Sequence, residues 1–308
     1  MFLRKIKKFF TDEKARFAFL HKMGFYNLLP DERFVKKVYC LYMGKDLDFD
    51  NPITYNEKLQ WLKLYDRRPE YTAMVDKYEV KKLVADIIGE EYIIPTIGVY
   101  DKFDDIDFDS LPDSFVIKCT HDSGGLVICK DKSKLDIPAA RKRINKFLKR
   151  KYYYQWREWP YKNVKPRIIV EQYMEDASTS ELRDYKFFCF DGVPKLIFIA
   201  SDRQKAGEET KFDFFDMDFN HLPFTNGHPN AAVPPAKPVM FEKMKELAAK
   251  LSCGIPHVRV DFYEVDGKIY FGEMTFYHWS GIVPFDPEEW DKTLGSWITL
   301  PEKREEGK

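Results

Sequence analysis

The sequence has few cysteines, no long apolar run and no excess of either charge. Its five cysteines are scattered and none forms a CxxC pair, which favours reduced thiols in the cytosol over a disulfide framework or a zinc site. No stretch of about 18 apolar residues exists, so we expect no membrane span. Basic and acidic residues number 50 each, so no global field attracts nucleic acid or an anionic membrane.

The amino terminus lacks the features of a secretory signal. MFLRKIKKFF is basic, but it has no long apolar run and no small-residue cleavage site, so we expect a cytoplasmic protein. Its apolar residues fall on one face of a predicted helix, surrounded by lysine and arginine. Such a helix can contact the inner leaflet of the membrane or pack on its own domain, and the sequence leaves both open. The oligomeric state is open as well.

The chain changes from helical patterns to strand patterns at about residue 92. Before that point, Thr54 is followed three residues later by Glu57, which is a capping-box signature. Beyond it, short apolar runs alternate with turn residues as hairpins, and few βαβ units occur. Residues 203–240 are rich in proline, asparagine, aspartate and glycine and predict mostly loop. This mixture predicts an α+β fold rather than a doubly wound parallel sheet.

Two carboxylates lie on the arms of a predicted hairpin near the end of the chain, in RVDFYEVDGKIYFGEMT. A two-residue turn at Asp266–Gly267 would place Asp261 and Glu273 on opposite faces, whereas a three-residue loop over 266–268 sets them directly opposite each other. Side-chain alternation favours the three-residue loop, because it gathers apolar residues on one face. That face then holds Val258, Val260, Phe262, Tyr270 and Met274.

Facing carboxylates repel each other unless a cation lies between them. Mg²⁺ is one candidate, because it prefers one or two carboxylates together with substrate phosphates. The other candidate is Arg259, which would neutralise both groups in a structural ion network. The hairpin alone does not decide between them.

A glycine-bearing loop follows the apolar strand that ends in Lys118, in FVIKCTHDSGG. Gly124 and Gly125 would let backbone amides approach phosphate oxygens closely, and the lysine would supply charge. The loop has neither GxxxxGK[ST] nor GxGxxG. An ordinary hairpin turn with a solvent-facing lysine is the favoured explanation unless a second nucleotide feature accompanies the loop.

The segment IVEQYM offers that second feature. An apolar strand that ends in Glu171, Gln172, Tyr173 and Met174 presents backbone groups to an adenine edge and apolar cover to its ring. Thirteen residues after Glu171 lies Asp184, whose carboxylate would suit ribose hydroxyls.

Together and in this order, the motifs resemble those of the ATP-grasp superfamily over about residues 74–285. More narrowly, DKYEVKKLV, FVIKCTHDSGG, DYKFFCFDGVP and GKIYFGEMTFYHWSG are similar to the teichuronopeptide-biosynthesis (TupA-like) branch, found in gene sets for cell-envelope polysaccharide. The resemblance implies two α+β subdomains that grip ATP, with a helical N-terminal extension. It implies a helical region over 1–75, a small subdomain with the glycine loop over 76–167, and a large subdomain with the magnesium site over 168–308.

The resemblance also implies a role for each motif residue. The nucleotide would be bound by Lys77, Lys118, His121, Ser123, Gly124, Gly125, Glu171, Gln172, Tyr173, Met174 and Asp184. Mg²⁺ would be held by Asp261, Glu273 and Thr275, with Thr275 in place of the asparagine that many ATP-grasp ligases have. Arg259 would be catalytic, stabilising charge on the transferred phosphoryl group.

ATP-grasp enzymes typically ligate a carboxylate to an amine or thiol through an acylphosphate, so the resemblance implies an ATP- and Mg²⁺-dependent ligase. The TupA-like branch implies attachment of an amino acid or another amine to a carboxylate, such as a uronic acid. That acid would belong to a capsular or other envelope polysaccharide, or to its precursor. The expected partners are therefore a small-molecule or glycan carboxylate and an amine, and no nucleic acid.

Two rival functions have their own patterns. Asp216-Met217-Asp218 is a DxD of the kind that holds a metal and a nucleotide sugar in glycosyltransferases. Residues 141–167 interleave basic and aromatic residues, as in a non-catalytic protein that binds an anionic glycan or single-stranded nucleic acid. Each pattern also has a structural explanation, a loop between strands and an amphipathic helix with solvated lysines.

Overall fold

A computed structural model describes residues 9–176, 182–202 and 207–303. Packing divides the chain into two units. The first comprises Met1–Arg67, Tyr153–Trp159 and Tyr277–Lys308, and the second comprises Arg68–Tyr152 and Pro160–Phe276. The division predicted from the motifs, into 1–75, 76–167 and 168–308, stays a prediction.

Five α-helices precede the first strand of the described chain, and the later helices lie between or after runs of strands. The helices are α1 (Glu13–Lys22), α2 (Asp31–Met43), α3 (Tyr55–Tyr65), α4 (Glu70–Val75), α5 (Glu79–Ile88), α6 (Ile137–Leu148), α7 (Tyr153–Trp156), α8 (Phe241–Ser252) and α9 (Glu289–Trp297). The strands are β1 (Thr96–Tyr100), β2 (Phe115–Cys119), β3 (Leu126–Cys129), β4 (Ile168–Gln172), β5 (Asp184–Phe190), β6 (Val193–Ser201), β7 (Lys211–Asp216), β8 (His221–Leu222), β9 (Thr225–Asn226), β10 (Val258–Val265), β11 (Lys268–Thr275) and β12 (Phe285–Asp286).

The first unit is largely helical, and α3 is its central element. The predicted capping box is present, since the Thr54 side chain accepts from the amide of Glu57 at 3.3 Å and Glu57 accepts from the amide of Thr54 at 2.8 Å. Tyr55 and Leu59 of α3 are fully buried, as is Leu294 of α9. The predicted helical N-terminal region is thus confirmed for the described part, while residues 1–8, with most of the predicted first helix, lie outside it.

A four-stranded antiparallel sheet, in the order β1-β4-β2-β3, belongs to the second unit. Its β2–β3 pair is the hairpin expected around the glycine loop, with Lys118 opposite Leu126. Helix α6 packs on this sheet through Ile144, which is fully buried beside Phe115 and Ile117. This packing fixes the end of β2, where Lys118 and the glycine loop lie.

A six-stranded sheet in the same unit has the order β11-β10-β5-β6-β7-β8, and its neighbouring strands are all antiparallel. The predicted turn between β5 and β6 is present at Asp191 and Gly192, whose φ values are 47° and 79°. The described part of 203–240 is mostly loop, as predicted, but it also contains β7, in which Phe212, Phe214 and Phe215 pair with β6. The antiparallel sheets with separate helices confirm the α+β class.

The β10–β11 hairpin has a shorter turn than predicted. Asp266 and Gly267 form a two-residue turn with φ values of 50° and 73°, and Val265 pairs with Lys268. Positive φ at both turn positions matches the right-handed twist of the two strands. The predicted three-residue loop is therefore wrong.

A β-bulge nevertheless brings the two carboxylates opposite each other. Gly272 is left unpaired between Phe271 and Glu273, and the register shifts there by one residue, so that Asp261 pairs with Glu273. The predicted facing of the carboxylates is thus correct, although its cause is the bulge. Phe271, rather than the predicted Tyr270, lies on the buried face of this arm.

No helix in the three described ranges combines the length and the apolar character that a membrane crossing requires.

Candidate functional site

A cavity of about 190 Å³ lies in the second unit. Helix α5, both sheets and the loop after β2 contribute to its wall. The predicted site residues that line it are Lys77, Lys118, Ser123, Gly125, Glu171, Asp184 and Glu273. Those that do not line it are His121, Gly124, Gln172, Tyr173, Met174, Arg259, Asp261 and Thr275. The cavity therefore joins residues that lie about 200 positions apart in the chain.

Glu171, in β4, is buried between two lysines. Its Oε2 lies 2.6 Å from the Nζ of Lys118, and its Oε1 pairs with Lys81 of α5. Burial alone would raise the pKa of Glu171, but Lys118 and Lys81 hold that pKa below its usual value. Glu171 is therefore ionised, and its side chain holds both lysines at the cavity wall.

The residues after Glu171 continue past the cavity wall. The backbone amide of Gln172 donates to the carbonyl of Pro95 at 3.0 Å, so it is not available to a ligand. The Tyr173 ring centroid lies 5.5 Å from the Nζ of Lys130. Tyr173 and Met174 are half-buried, and an adenine contact by this segment stays a prediction.

The loop after β2 has no room for side chains at its glycines. A Cβ at Gly124 would lie 2.5 Å from the ring of Phe147, and one at Gly125 would lie 2.5 Å from the sulfur of Cys119. Asp122 accepts a hydrogen bond from the amide of Gly124 at 2.6 Å. Both glycines are thus required by packing, whether or not a phosphate binds at this loop.

His121 is buried behind the loop. Its Nε2 donates to the carbonyl of Arg150 at 3.0 Å, and burial lowers its pKa, so the ring is neutral at pH 7. This hydrogen bond gives His121 a structural role, and the predicted phosphate contact stays a prediction.

Lys77 lies in the turn before α5. Its amide donates to the carbonyl of Thr120 at 3.1 Å. The neighbouring Asp76 is 2.8 Å from Arg167 and accepts from amides at the start of α5. These contacts fix the backbone from which the Lys77 side chain extends to the cavity.

Asp261 is paired with two cations of its own sheet. Arg259 binds it through two hydrogen bonds, Nε to Oδ1 at 2.7 Å and Nη2 to Oδ2 at 2.8 Å. Lys186 also donates to Oδ2 of Asp261, and its Nζ lies 3.5 Å from Asp184. Asp261 is only 1% exposed, so its oxygens face these partners rather than the cavity.

Glu273, in contrast, faces the cavity. Its side chain is 43% exposed and lies 3.4 Å from the Nη2 of Arg259. Burial within the cavity opposes its charge, but Lys77, followed by Lys186, Arg259 and Lys118, lowers the pKa of Glu273 to about 2. It is therefore an accessible, ionised carboxylate surrounded by cations.

Arg259 is the cation between the facing carboxylates. It contacts Asp261 and Glu273, and Thr275 accepts from its Nη2 at 2.9 Å. The ion network that the sequence left as the second explanation is thus present. Of the three predicted magnesium ligands, only Glu273 offers a carboxylate to the cavity.

These residues fit one Mg²⁺ that arrives with phosphates better than a metal held by protein alone. Across the described residues, no group of three histidine, cysteine, aspartate or glutamate side chains is placed to hold a metal. Mg²⁺ commonly takes one or two carboxylates and fills its other positions with water and substrate phosphates. Glu273 can supply such a carboxylate.

Three charged residues of the cavity wall were missed by the sequence analysis: Lys81, Asp122 and Lys186. Lys81 lies four residues after Lys77, and this spacing signals a shared side of the α5 region. Lys186 lies two residues after Asp184 on a strand, where alternate side chains share a face. Both signals were present in the sequence. Asp122 had none beyond its place beside the glycines.

The DxD motif lies at the turn between β7 and β8 and stabilises it. Asp216 accepts from the amide of Asp218 at 2.9 Å, from the amide of Asn220 at 2.8 Å and from its side chain at 2.9 Å. None of these residues lines the cavity. The carboxylate of Asp216 therefore closes a loop, as the structural explanation expected.

Comparison with known proteins gives a family match over the part of the chain that contains these motifs. The sequence matches the model of the TupA-like ATP-grasp family over residues 57–299, whereas no curated protein matches it. Among solved structures, D-alanine–D-alanine ligase from Helicobacter pylori is 13% identical, with a TM-score of 0.43, over 80% of this chain and 69% of that chain.

Two further solved structures are similar at the same level. D-alanine–D-alanine ligase from Bacillus anthracis complexed with ATP is 16% identical, with a TM-score of 0.38, over 79% of this chain and 62% of that chain. The ATP-grasp ligase PsnB complexed with minimal precursor, Mg and ADP is 11% identical, with a TM-score of 0.39, over 71% of this chain and 57% of that chain. The chain thus spans less than two thirds of these two proteins.

The family match covers well over half of the sequence and includes every residue predicted for the site. The predictions of an α+β ATP-grasp fold and of an ATP-grasp ligase are confirmed by it. The chain belongs to the TupA-like ATP-grasp family.

Proposed function

We propose that this protein is an ATP-dependent carboxylate–amine ligase that binds ATP in the cavity of the second unit. The observation that carries the proposal is the grouping of Lys77, Lys118, Lys186 and Arg259 around the accessible carboxylate of Glu273. Four cations and one open carboxylate suit a triphosphate that arrives with a divalent metal, because charged hydrogen bonds to phosphate are strong and Mg²⁺ balances the rest.

The proposed reaction has two steps. An oxygen of the substrate carboxylate attacks the γ-phosphorus of ATP, the bond from that phosphorus to the bridging oxygen breaks, and ADP leaves. The amine nitrogen then attacks the acyl carbon of the acylphosphate, inorganic phosphate leaves, an amide bond forms and the nitrogen loses a proton. The first step builds charge on phosphoryl oxygens, which positioned lysine and arginine side chains stabilise.

Individual side chains have separate tasks in this proposal. Lys118 and Lys77 bind phosphate oxygens, with Lys118 held in place by Glu171. Arg259 stabilises charge on the transferred group, and Asp261 positions it through two hydrogen bonds. Mg²⁺, when bound with the nucleotide, supplies positive charge at the phosphates, and Glu273 would be its protein ligand.

We propose an amino acid or another amine as the nucleophile, and a uronic acid of a capsular or other envelope polysaccharide, or of its precursor, as the carboxylate. The support is the TupA-like family, together with the motifs that resemble it. We also propose a cytoplasmic protein that contacts the inner leaflet of the membrane through its amino-terminal region.

A screen of ADP release tests the ligase proposal directly. Uronic acids are crossed with amino acids in the presence of ATP and Mg²⁺, and the expected result is ADP release that requires both substrates. Glu273→Gln and Asp261→Asn serve as blanks with at least a hundredfold lower turnover, since each removes a charge from the site. Asp218→Asn, an exposed aspartate outside the cavity, is the matched control.

Two results would contradict the proposal. One is equal turnover by Glu273→Gln and the wild-type protein. The other is transfer from a UDP-sugar that depends on Asp216 and needs no ATP, which would favour the glycosyltransferase alternative.

A further inference from the structure

Helix α6 and the residues after it form a basic surface on the second unit. Between residues 141 and 151 lie seven lysine and arginine residues, and no aspartate or glutamate occurs from 137 to 157. Lys142, Lys146, Lys149 and Lys151 are exposed. A local concentration of one charge is informative here because the whole chain has equal numbers of acidic and basic residues.

The helix divides its side chains into three stripes. Ala140 and Ile144 are buried against the sheet. Arg143 and Phe147, four residues apart, lie along a second stripe, which Arg150 extends from beyond the helix end by its contact with the Phe147 ring at 5.7 Å. The third stripe consists of the exposed Lys142 and Lys146 and is continued by the exposed Lys149 directly after the helix. Of these, Lys142 and Lys149 form no ion pair with a carboxylate of any described residue. We call this third stripe, together with Lys151, the α6 basic face.

The second stripe connects this face to the loop that lines the cavity. Arg143 donates to the carbonyl of Gly124 at 3.2 Å, and the Nε of Arg150 lies 3.5 Å from Asp122. Phe147 fills the space beside Gly124. A ligand on the α6 basic face would therefore lie next to the loop that contributes Asp122, Ser123 and Gly125 to the cavity wall.

The aromatic residues of this region are already covered by cations. The Phe147 ring has Arg143, Lys146 and Arg150 within 5.7 Å of its centroid. Tyr152 has Arg150 at 5.3 Å and packs on Tyr161 at 4.7 Å. Proteins that bind single-stranded nucleic acid stack its bases on exposed aromatic rings. This surface instead offers charges without a stacking platform, which favours a chain of carboxylates over a chain of bases.

The lysines of the α6 basic face follow one another closely along the protein surface. At 1.5 Å of rise per residue, Lys142 and Lys146 lie roughly 6 Å apart along the helix axis, and Lys149 directly follows the helix. We propose that the α6 basic face binds an anionic polysaccharide with a regular row of carboxylates, a polyuronate, and holds it beside the cavity. This inference rests on the proposed ligase function, because it identifies the carboxylate substrate as part of a polymer.

Binding of polygalacturonate tests the inference by titration calorimetry on the full chain. The triple variant Lys142→Glu, Lys149→Glu, Lys151→Glu should raise the dissociation constant for this polymer at least tenfold. The control triple Lys102→Glu, Lys195→Glu, Lys268→Glu makes the same change of charge at exposed lysines elsewhere on this unit and should change it less than twofold. Affinity of the wild-type protein should fall as salt rises.

Three results would overturn the inference. They are unchanged affinity in the first triple variant, equal loss in both triple variants, and binding of a single-stranded DNA oligonucleotide of the same charge at least as tight as that of the polymer. Its failure is distinguishable from failure of the ligase proposal. ADP release by the wild-type protein with monomeric uronic acid and amine tests the ligase alone, whereas polymer affinity is measured without ATP.

Discussion

A single carboxylate, Glu171, decides the charge balance of one cavity wall. Replacing Glu171 with glutamine would leave Lys81 and Lys118 facing each other without an anion. We expect the free energy of unfolding to fall by about 3 kcal/mol, the usual cost of removing one partner from a buried ion pair. Urea denaturation measures this change.

The matched control is Glu175→Gln, because Glu175 is exposed and lies 3.9 Å from Lys130. It should change stability by less than about 0.5 kcal/mol. ATP with Mg²⁺ should then raise the melting temperature of Glu171→Gln more than that of the wild-type protein, since phosphates replace the lost charge. Equal stabilisation of both proteins would show that Lys81 and Lys118 do not contact the nucleotide.

The buried His257 should make stability depend on pH. Its Nδ1 donates to the carbonyl of Cys189 at 2.9 Å, and burial lowers its pKa to about 3. In the unfolded chain His257 has a pKa of about 6.5, so it binds a proton at pH values at which the folded protein does not. The contribution of His257 to folding stability is therefore complete above about pH 6.5 and is lost as the pH falls towards 3. His257→Gln should reduce the slope of unfolding free energy between about pH 5 and 6.5 by about 1 kcal/mol per pH unit. Urea denaturation at several pH values measures this slope, and a slope in His257→Gln equal to that of the wild-type protein would contradict the prediction.

At the scale of the element, the loop after β2 depends on the packing of its glycines. Gly125→Ala would place a Cβ 2.5 Å from the sulfur of Cys119 and 2.9 Å from Phe147. The loop or its neighbours must then move, and we expect a loss of about 1–3 kcal/mol in stability together with weaker nucleotide binding. Ser123→Ala, an exposed position in the same loop, should leave stability within about 0.5 kcal/mol. Wild-type stability in Gly125→Ala, by urea denaturation, would contradict the tight packing.

Elements of this chain were predictable where local chemistry decides them. The capping box at Thr54 and the hairpins closed by Asp191–Gly192 and by the glycine loop follow from short sequence signals. The bulge at Gly272 was not predictable, because alternation of side chains also fits a longer turn without a bulge. Strand β7 was missed for a related reason, since its apolar residues lie within a segment dominated by loop-forming residues.

At the scale of the whole molecule, the motifs predicted the residues that meet in the cavity better than their mutual contacts. Lys118, Glu171 and Glu273 do line one cavity. The pairing of Glu171 with Lys81, or of Asp261 with Lys186, depends on how α5 and β5 pack. Sequence spacing does not contain that information across about 75 to 90 residues. Packing also places residues 153–159 with the first 67, which no local signal indicates.

The amino-terminal region of the first unit carries the prediction about the membrane. Phe10, Phe19, Met23, Phe25 and Leu28 are exposed, and Leu28 is 96% accessible. Residues 1–28 contain seven lysine and arginine residues and two acidic ones. Exposed apolar side chains among basic ones are typical of a surface that binds anionic lipid. We therefore expect the protein to float with vesicles that contain phosphatidylglycerol and to remain unbound with purely zwitterionic vesicles.

Flotation of matched variants distinguishes membrane binding by this surface from nonspecific hydrophobic adsorption. Deletion of residues 1–10, or the double variant Phe25→Ser, Leu28→Ser, should lower the partition coefficient at least about tenfold, since burial of each large apolar side chain contributes about 1.5–3 kcal/mol. Val233→Ser, Val239→Ser removes two apolar side chains that are 83% and 87% exposed in the other unit and should have no effect. Equal loss in both double variants, or unchanged flotation after the deletion, would show that the basic apolar amino-terminal region does not bind the membrane.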